Sequence, residues 1–134
     1  MSAENVERVR RGYEHFIRTG EPLAVDLAPD FVWDMSTFRD WPERKLYEGV
    51  DGVREFIADW TSAWDEWRLE VVELEDAGDD VVAIVHQIGR SKTTGLEVDM
   101  DLAQVWSFEG GLQKRMRMYA DADEALRAAG PDPG

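Results

Sequence analysis

Three runs rich in Val, Ile, Leu, Trp and Met fill the chain between Val81 and Tyr119, and the dipeptides Thr94-Gly95 and Gly110-Gly111 separate them. Dipeptides that tolerate positive φ suit two-residue hairpin turns, so the pattern predicts an antiparallel meander turning at these pairs. In that register Arg90 pairs with Asp99, His86 with Ala103 and Ile84 with Val105. Beyond the second turn Val105 pairs with Met116 and Ala103 with Met118. Alternation then puts Ile84, His86, Ile88, Ala103, Val105, Met116 and Met118 on one face. The other face receives Ala83, Val85, Gln87, Leu102, Gln104, Trp106, Phe108, Arg115, Arg117 and Tyr119. The first set is apolar with one imidazole in its middle row and suits a core with a cavity; the second has the blend enriched at protein interfaces. A one-residue bulge in the middle strand would exchange these assignments beyond it.

Upstream, Val6, Val9, Tyr13, Phe16 and Ile17 recur at helical spacing, which predicts a helix from Ala3 to Thr19 stopped by Gly20. Pro22 opens a short helix through Leu27, and Pro29 ends it. Phe31 to Met35 reads as a strand with Trp33 and Asp34 on opposite sides. From Ser36 to Gly49 no period holds, although Phe38, Trp41 and Tyr47 lie there; a flap and a loop folded over the core edge both fit. Val53, Phe56, Ile57, Trp60 and Trp64 form the apolar stripe of a further helix, followed by a strand from Leu69 to Glu75. After the meander, Asp121 and Glu124 have capping-box spacing in front of a last short helix ending at Gly130, and residues 131–134 are a tail.

At 134 residues, without repeat or linker, the chain is expected to form one domain over residues 1–134. It has no cysteine, which excludes disulfides, thiolate metal sites and a Cys nucleophile and makes a reducing cytoplasm the default location. No apolar run approaches the roughly 18 residues of a membrane span, and the N-terminus carries no apolar signal core. A net charge of -14, from 29 acidic and 15 basic residues, argues against nucleic acid and anionic membrane as partners. Two histidines and scattered acidic residues do not suggest a metal site, and no phosphate loop or nucleotide fingerprint points to a cofactor.

Helices followed by a long meander predict an α+β domain with helices on one face of a curved antiparallel sheet. Particular segments sharpen this: Tyr13 ahead of Gly20-Glu21, the strand Phe31-Val32-Trp33-Asp34, and Gly49 before a helix. The chain then ends in Ala103-Gln104-Val105-Trp106-Ser107-Phe108, Gly111, and Arg115-Met116-Arg117-Met118-Tyr119-Ala120-Asp121 before Glu124-Ala125-Leu126. With these segments the chain resembles the cone-shaped barrel of the NTF2-like superfamily, and within it the SnoaL-like group of polyketide cyclases and ketosteroid isomerases. The resemblance implies a small, largely apolar molecule in the cone pocket. Two functions follow from it: cofactor-free acid–base catalysis of isomerase, cyclase or dehydratase type, or a non-catalytic binding or interaction module acting as a dimer.

The resemblance also assigns roles. Asp34 corresponds to the proton-shuttling carboxylate of the isomerases, and desolvation among Trp and Met would raise its pKa; the plain alternative is an exposed strand-end Asp. Tyr13 corresponds to the phenol that donates to an oxyanion, or it is a core Tyr with its hydroxyl tied to a neighbour. The isomerases' second donor, a protonated Asp, corresponds to Ala103, which cannot donate. His86, opposite Ala103 in the predicted register, would take that place, unless it is a buried histidine satisfied locally. Asp121 corresponds to an acid used by polyketide cyclases, though its capping-box spacing with Glu124 already explains it locally. Trp33, Trp60, Trp64, Ile84, Val105, Met116 and Met118 would line the pocket. On the outer face Leu102, Trp106, Phe108 and Tyr119, interleaved with Arg115 and Arg117, would leave a large apolar patch, which predicts a homodimer through that face.

Overall fold

Apolar residues three and four positions apart draw the N-terminal segment into helix α1 (Ser2–Thr19), which buries Val9 and Tyr13 and stops at Gly20, whose φ of 78° favours glycine. The structure is a computed structural model and describes residues 2–38 and 46–129. Residues 39–45 of the expected flap, Trp41 among them, and the tail at 131–134 lie outside the described residues.

The short helix expected after Pro22 is a single 3-10 turn, Ala24–Asp26, and the first strand starts earlier than expected, as β1 (Leu27–Asp34). Strand β2 (Leu46–Glu48), inside the segment expected to be a flap, leads into α2 (Gly49–Thr61). Four long strands follow: β3 (Trp64–Ala77), β4 (Asp80–Ser91), β5 (Glu97–Glu109) and β6 (Leu112–Tyr119). Helix α3 (Ala122–Ala128) closes the described chain, with Asp121 as its N-cap accepting from the Asp123 amide at 2.9 Å. The strands form one curved, unclosed sheet in the order β2-β1-β6-β5-β4-β3, antiparallel except between β1 and β6. This is the α+β cone expected from the sequence. No helix among the described residues is long and apolar enough to cross a membrane.

The meander exists, but its register corrects the sequence reading twice. First, the β4–β5 connection is a four-residue loop, Lys92 to Gly95, closed by a Ser91 N–H bond to the Leu96 carbonyl at 2.9 Å. His86 therefore pairs with Asp101 and Ile84 with Ala103, two residues away from the expected register. A shift of two leaves every side chain on its face. Second, β6 carries an extra residue: Phe108 pairs with Gln113 but Ser107 with Arg115, so Lys114 is bulged out. Beyond the bulge Met116 pairs with Trp106 and Met118 with Gln104.

That single residue reverses the face assignment. Met116 and Met118 join Ala83, Val85, Leu102 and Trp106 on the concave face, where they pack with Val9, Tyr13, Val53, Phe56 and Trp60 of α1 and α2. Ile84, Ala103 and Val105 lie on the convex face with Val82 and Tyr119, where α3 covers them through Ala125. The patch expected to drive dimerisation is thus not on the outside: Leu102 and Trp106 are core residues, Phe108 packs against that core, and Tyr119 is buried under α3. Helix α2 also ends sooner than its apolar stripe suggests, so that Trp64 opens β3 instead. Its indole lies over Gly89, where a Cβ would come within 2.9 Å of the ring.

Candidate functional site

Between α1, α2 and the concave face lies a cavity of about 100 Å³. Its wall is mainly rings: Tyr13 and Phe16 from α1, Trp33 from β1, Phe56 and Trp60 from α2, Trp67 from β3 and Trp106 from β5. These residues form an edge-to-face and tilted array, with Trp33 against Phe56 at 4.6 Å and Tyr13 perpendicular to Trp106 at 6.0 Å. Pro22 and Leu23, after α1, and Ile57 and Thr61, on α2, complete one side. A wider open cleft of about 420 Å³ between α1 and β3 is bordered by Arg10, Glu14, Glu70 and Glu73 and lacks such an apolar wall.

Three amides interrupt the apolar surface: Gln87, Gln104 and Gln113, all buried. Trp60 and Trp67 both donate from Nε1 to the Gln87 Oε1 at 2.8 Å. Trp106 donates from Nε1 to the Tyr13 hydroxyl at 3.1 Å, and Tyr13 in turn donates to the Gln104 Oε1. The Trp33 Nε1 is enclosed and has no partner. Tyr13 is the only ionisable side chain on the wall among the described residues. Burial pushes its phenol well above the ordinary value, against a smaller opposing effect of the Trp106 hydrogen bond, so at neutral pH it is a protonated donor.

Of the residues expected to line the pocket, Tyr13, Trp33, Trp60 and Met118 do so. Met116 lies on the same face, fully buried in the core behind the cavity wall. Trp64 is half-buried at the start of β3, away from the cavity, and Ile84 and Val105 lie under α3 on the far side of the sheet.

Asp34, Tyr13 and His86 do not converge. Because Trp33 takes the concave side of β1, Asp34 points to the convex side, buried there and ion-paired with Arg115 while accepting from the Ser36 amide at 2.8 Å. Burial alone would raise its pKa, as the sequence suggested, but hydrogen bonds from Ser36 and Arg115 and the guanidinium charge outweigh it and hold the carboxyl below its usual range. His86 is also convex, between two carboxylates: Nε2 is 2.8 Å from Asp99 Oδ1 and Nδ1 is 2.5 Å from Asp101 Oδ1. Those contacts, the Asp101 hydrogen bond first, raise its pKa. No group of three or more His, Cys, Asp or Glu among the described residues is placed to hold a metal ion.

Sequence reasoning missed Gln87, Gln104, Gln113, Phe56, Trp67 and Trp106 as cavity residues. A signal for two of them was present: Gln87 and Gln104 share parity with Ala83, Val85 and Leu102 inside strongly apolar strands. Amides at such positions are buried and need partners.

A family model described as "SnoaL-like domain" matches residues 9–116. An NTF2-like protein of unknown function from Burkholderia pseudomallei has a similar structure, with 26% identity, a TM-score of 0.74, and 92% of this chain and 95% of the other covered. TerC, crystallised with polyporic acid, is 22% identical with a TM-score of 0.73 over 92% of this chain and 98% of TerC. A putative SnoaL-like polyketide cyclase from Jannaschia sp. CCS1 is 19% identical with a TM-score of 0.66 over 98% of this chain and 94% of the other. No curated protein matches the chain.

Proposed function

Because this chain belongs to the family of SnoaL-like domains, we propose that it binds a small, largely apolar molecule in the cavity between α1, α2 and the sheet. The observation that carries this reading is the wall itself: a ring-lined space with buried amides, at a position where side chains of that size could have closed the core. Crystallisation of TerC with polyporic acid agrees with a small-molecule site in this fold.

The wall favours binding over the side-chain acid–base catalysis expected of Asp34 and His86. General base chemistry needs an acceptor within hydrogen-bond reach of the substrate proton, and both groups sit across the sheet from the cavity. Tyr13 is held protonated and its one hydroxyl hydrogen is already donated to Gln104, so it is poorly suited to take a proton. Ligand-observed NMR against a set of single-ring compounds tests the reading, with Gly12→Leu as a cavity-filling control. Gly12 lines the cavity, and the nearest atom to an added Cβ there is 4.0 Å away. Binding that Gly12→Leu abolishes supports the site; binding that persists unchanged places the ligand elsewhere and rejects it.

The proposal includes a homodimer, through a surface other than Leu102 and Trp106. On the convex side Ile88 lies beside His86, and exposed Val72 lies on the edge strand β3. Glu70, Asp99 and Asp101 surround them, so association through this face should strengthen with salt as like charges are screened. Sedimentation that finds only monomer at micromolar concentration, at both low and high salt, rejects the dimer.

A further inference from the structure

We propose that the cavity selects a neutral ring compound bearing a carbonyl oxygen, and that Gln87 recognises that oxygen by donating to it from Nε2. The inference rests on the reading of the cavity as the ligand site and adds what the ligand must present.

Gln87 Oε1 receives two indole N–H groups, from Trp60 and Trp67, each at 2.8 Å. An amide nitrogen cannot accept either, so the orientation of this side chain is fixed by chemistry. What remains is an NH₂ group with two hydrogens to donate. Among the described residues it has no protein partner, yet the enclosed unpartnered side-chain atoms are the Trp33 Nε1 and the Arg117 Nε. The Gln87 Nε2 is therefore open to the cavity that this residue lines. Gln104 repeats the logic, its oxygen taken by the Tyr13 hydroxyl. At Gln87 and Gln104 the amide oxygens are engaged and the amide nitrogens are not.

A buried N–H without a partner is costly, so an occupant that supplies an acceptor is favoured over one of the same shape that does not. Gln87 and Gln104 are four residues apart along the ladder, facing Met100 and Ala83, which is about 13 Å along the strands. Gln87 is the stronger candidate because Trp60 and Trp67, which fix its amide, also line the cavity. The ligand is neutral because no cationic side chain among the described residues lines the wall, and a carboxylate there would be a buried, unpaired charge. Its size follows from the volume: about 100 Å³ suits roughly one six-membered ring.

Acetophenone and cumene are a matched pair, a phenyl ring with either C=O or CH–CH₃ at one branch, and benzoate adds charge to the same outline. Dissociation constants from ligand-observed NMR should favour acetophenone over cumene by about tenfold, with benzoate weaker than either. In Gln87→Glu, which keeps an oxygen for both indoles but as a carboxylate donates nothing, the acetophenone preference should vanish. Gln87→Met should remove it as well. Equal or tighter binding of cumene to the wild type overturns the proposal while leaving the cavity as a ligand site. Retention of the preference in both variants overturns the role of Gln87. If neither compound binds the wild type at millimolar concentration, the reading of the cavity as a ligand site falls, and this inference with it. The wild-type comparison decides even if a variant fails to fold.

Discussion

Trp33 and Asp34 are sequence neighbours that the sheet separates completely: the Trp33 ring packs 4.6 Å from Phe56 inside the cone, and Asp34 pairs with Arg115 on its convex side. Both are buried, so each side of β1 is committed to a different environment. A side-chain period of two permits only one of them to face a ligand. It is the aromatic residue that does, and the carboxylate ties β1 to β6 and to the turn at Ser36.

The first prediction follows from that role. Asp34→Ala should cost about 1–3 kcal/mol in urea denaturation, because it removes the partner of the Ser36 amide and of Arg115 from a buried position. Asp34→Asn should cost less, since its oxygen can still accept from Ser36. Neither should change ligand affinity. The folded carboxyl titrates below its ordinary range, so its contribution is complete above about pH 4 and disappears as pH falls through the lower folded value. Below that value wild type and Asp34→Asn should converge in stability. A wild type that instead gains stability relative to Asp34→Asn on acidification has the opposite shift.

His86 behaves in the opposite sense. A neutral imidazole donates from one nitrogen only, and both ring nitrogens here face carboxylate oxygens, so the geometry suits the imidazolium. With Asp101, Asp99 and Glu70 facing it, its folded pKa is raised. Its stabilisation is therefore fully present below the ordinary histidine value of about 6.5 and is lost as pH rises through the folded value. NMR titration of the His86 ring protons should give a midpoint above that ordinary value. In His86→Gln the fall in Tm over the same pH window should be absent; an identical fall in the variant assigns it to other groups.

Gly12 and Gly52 sit in helices and should respond in opposite directions to alanine. An added Cβ at Gly12 meets nothing nearer than the Gln113 Nε2 at 4.0 Å, so the gain in helix propensity should raise stability by about 0.5–1 kcal/mol. At Gly52 the Cβ would lie 2.8 Å from the Tyr47 backbone carbon, and α2 would have to move off β2. Gly52→Ala should thus destabilise despite the better propensity. Chemical denaturation of both variants checks this, and stabilisation by both would mean that α2 shifts freely.

Much of the architecture was legible because it depends on periodicity: α1, the α2 stripe, the meander and the Asp121 cap all follow from spacing and turn chemistry. The site was less so, and the reason is specific. Ile84, His86, Gln87 and Gln104 were sorted correctly into opposite faces of β4 and β5, but the choice of inner face leaned on Met116 and Met118 in β6. Those two residues change sides at a bulge that has no glycine or proline to announce it, only Lys114. The four-residue loop at Lys92 to Gly95 is a different kind of error, harmless because it shifts the register by an even number. Trp64 illustrates a third: its helical spacing continues past the end of α2, and the pattern alone cannot distinguish the last position of a stripe from the first of a strand.

Deletion of Lys114 tests that account of the fold. The side chain is expendable: its pairs with Asp30 at 2.5 Å and Glu109 at 3.8 Å are exposed, so Lys114→Ala should denature within error of wild type. The residue's backbone position is not. Without it the ladder would continue from Phe108 with no extra residue, Met116 and Met118 would face α3 and solvent, and Arg115 and Arg117 would point into the cone. Burying two unpaired guanidinium groups while exposing two core methionines costs more than the roughly 5–15 kcal/mol by which a domain is stable. The deletion variant should therefore lack a cooperative urea transition and lose near-UV circular dichroism from its tryptophans, while Lys114→Ala retains both. A deletion variant that folds cooperatively with Met116 and Met118 still buried would show that β6 takes up the missing residue elsewhere, and that the bulge does not set the inner face.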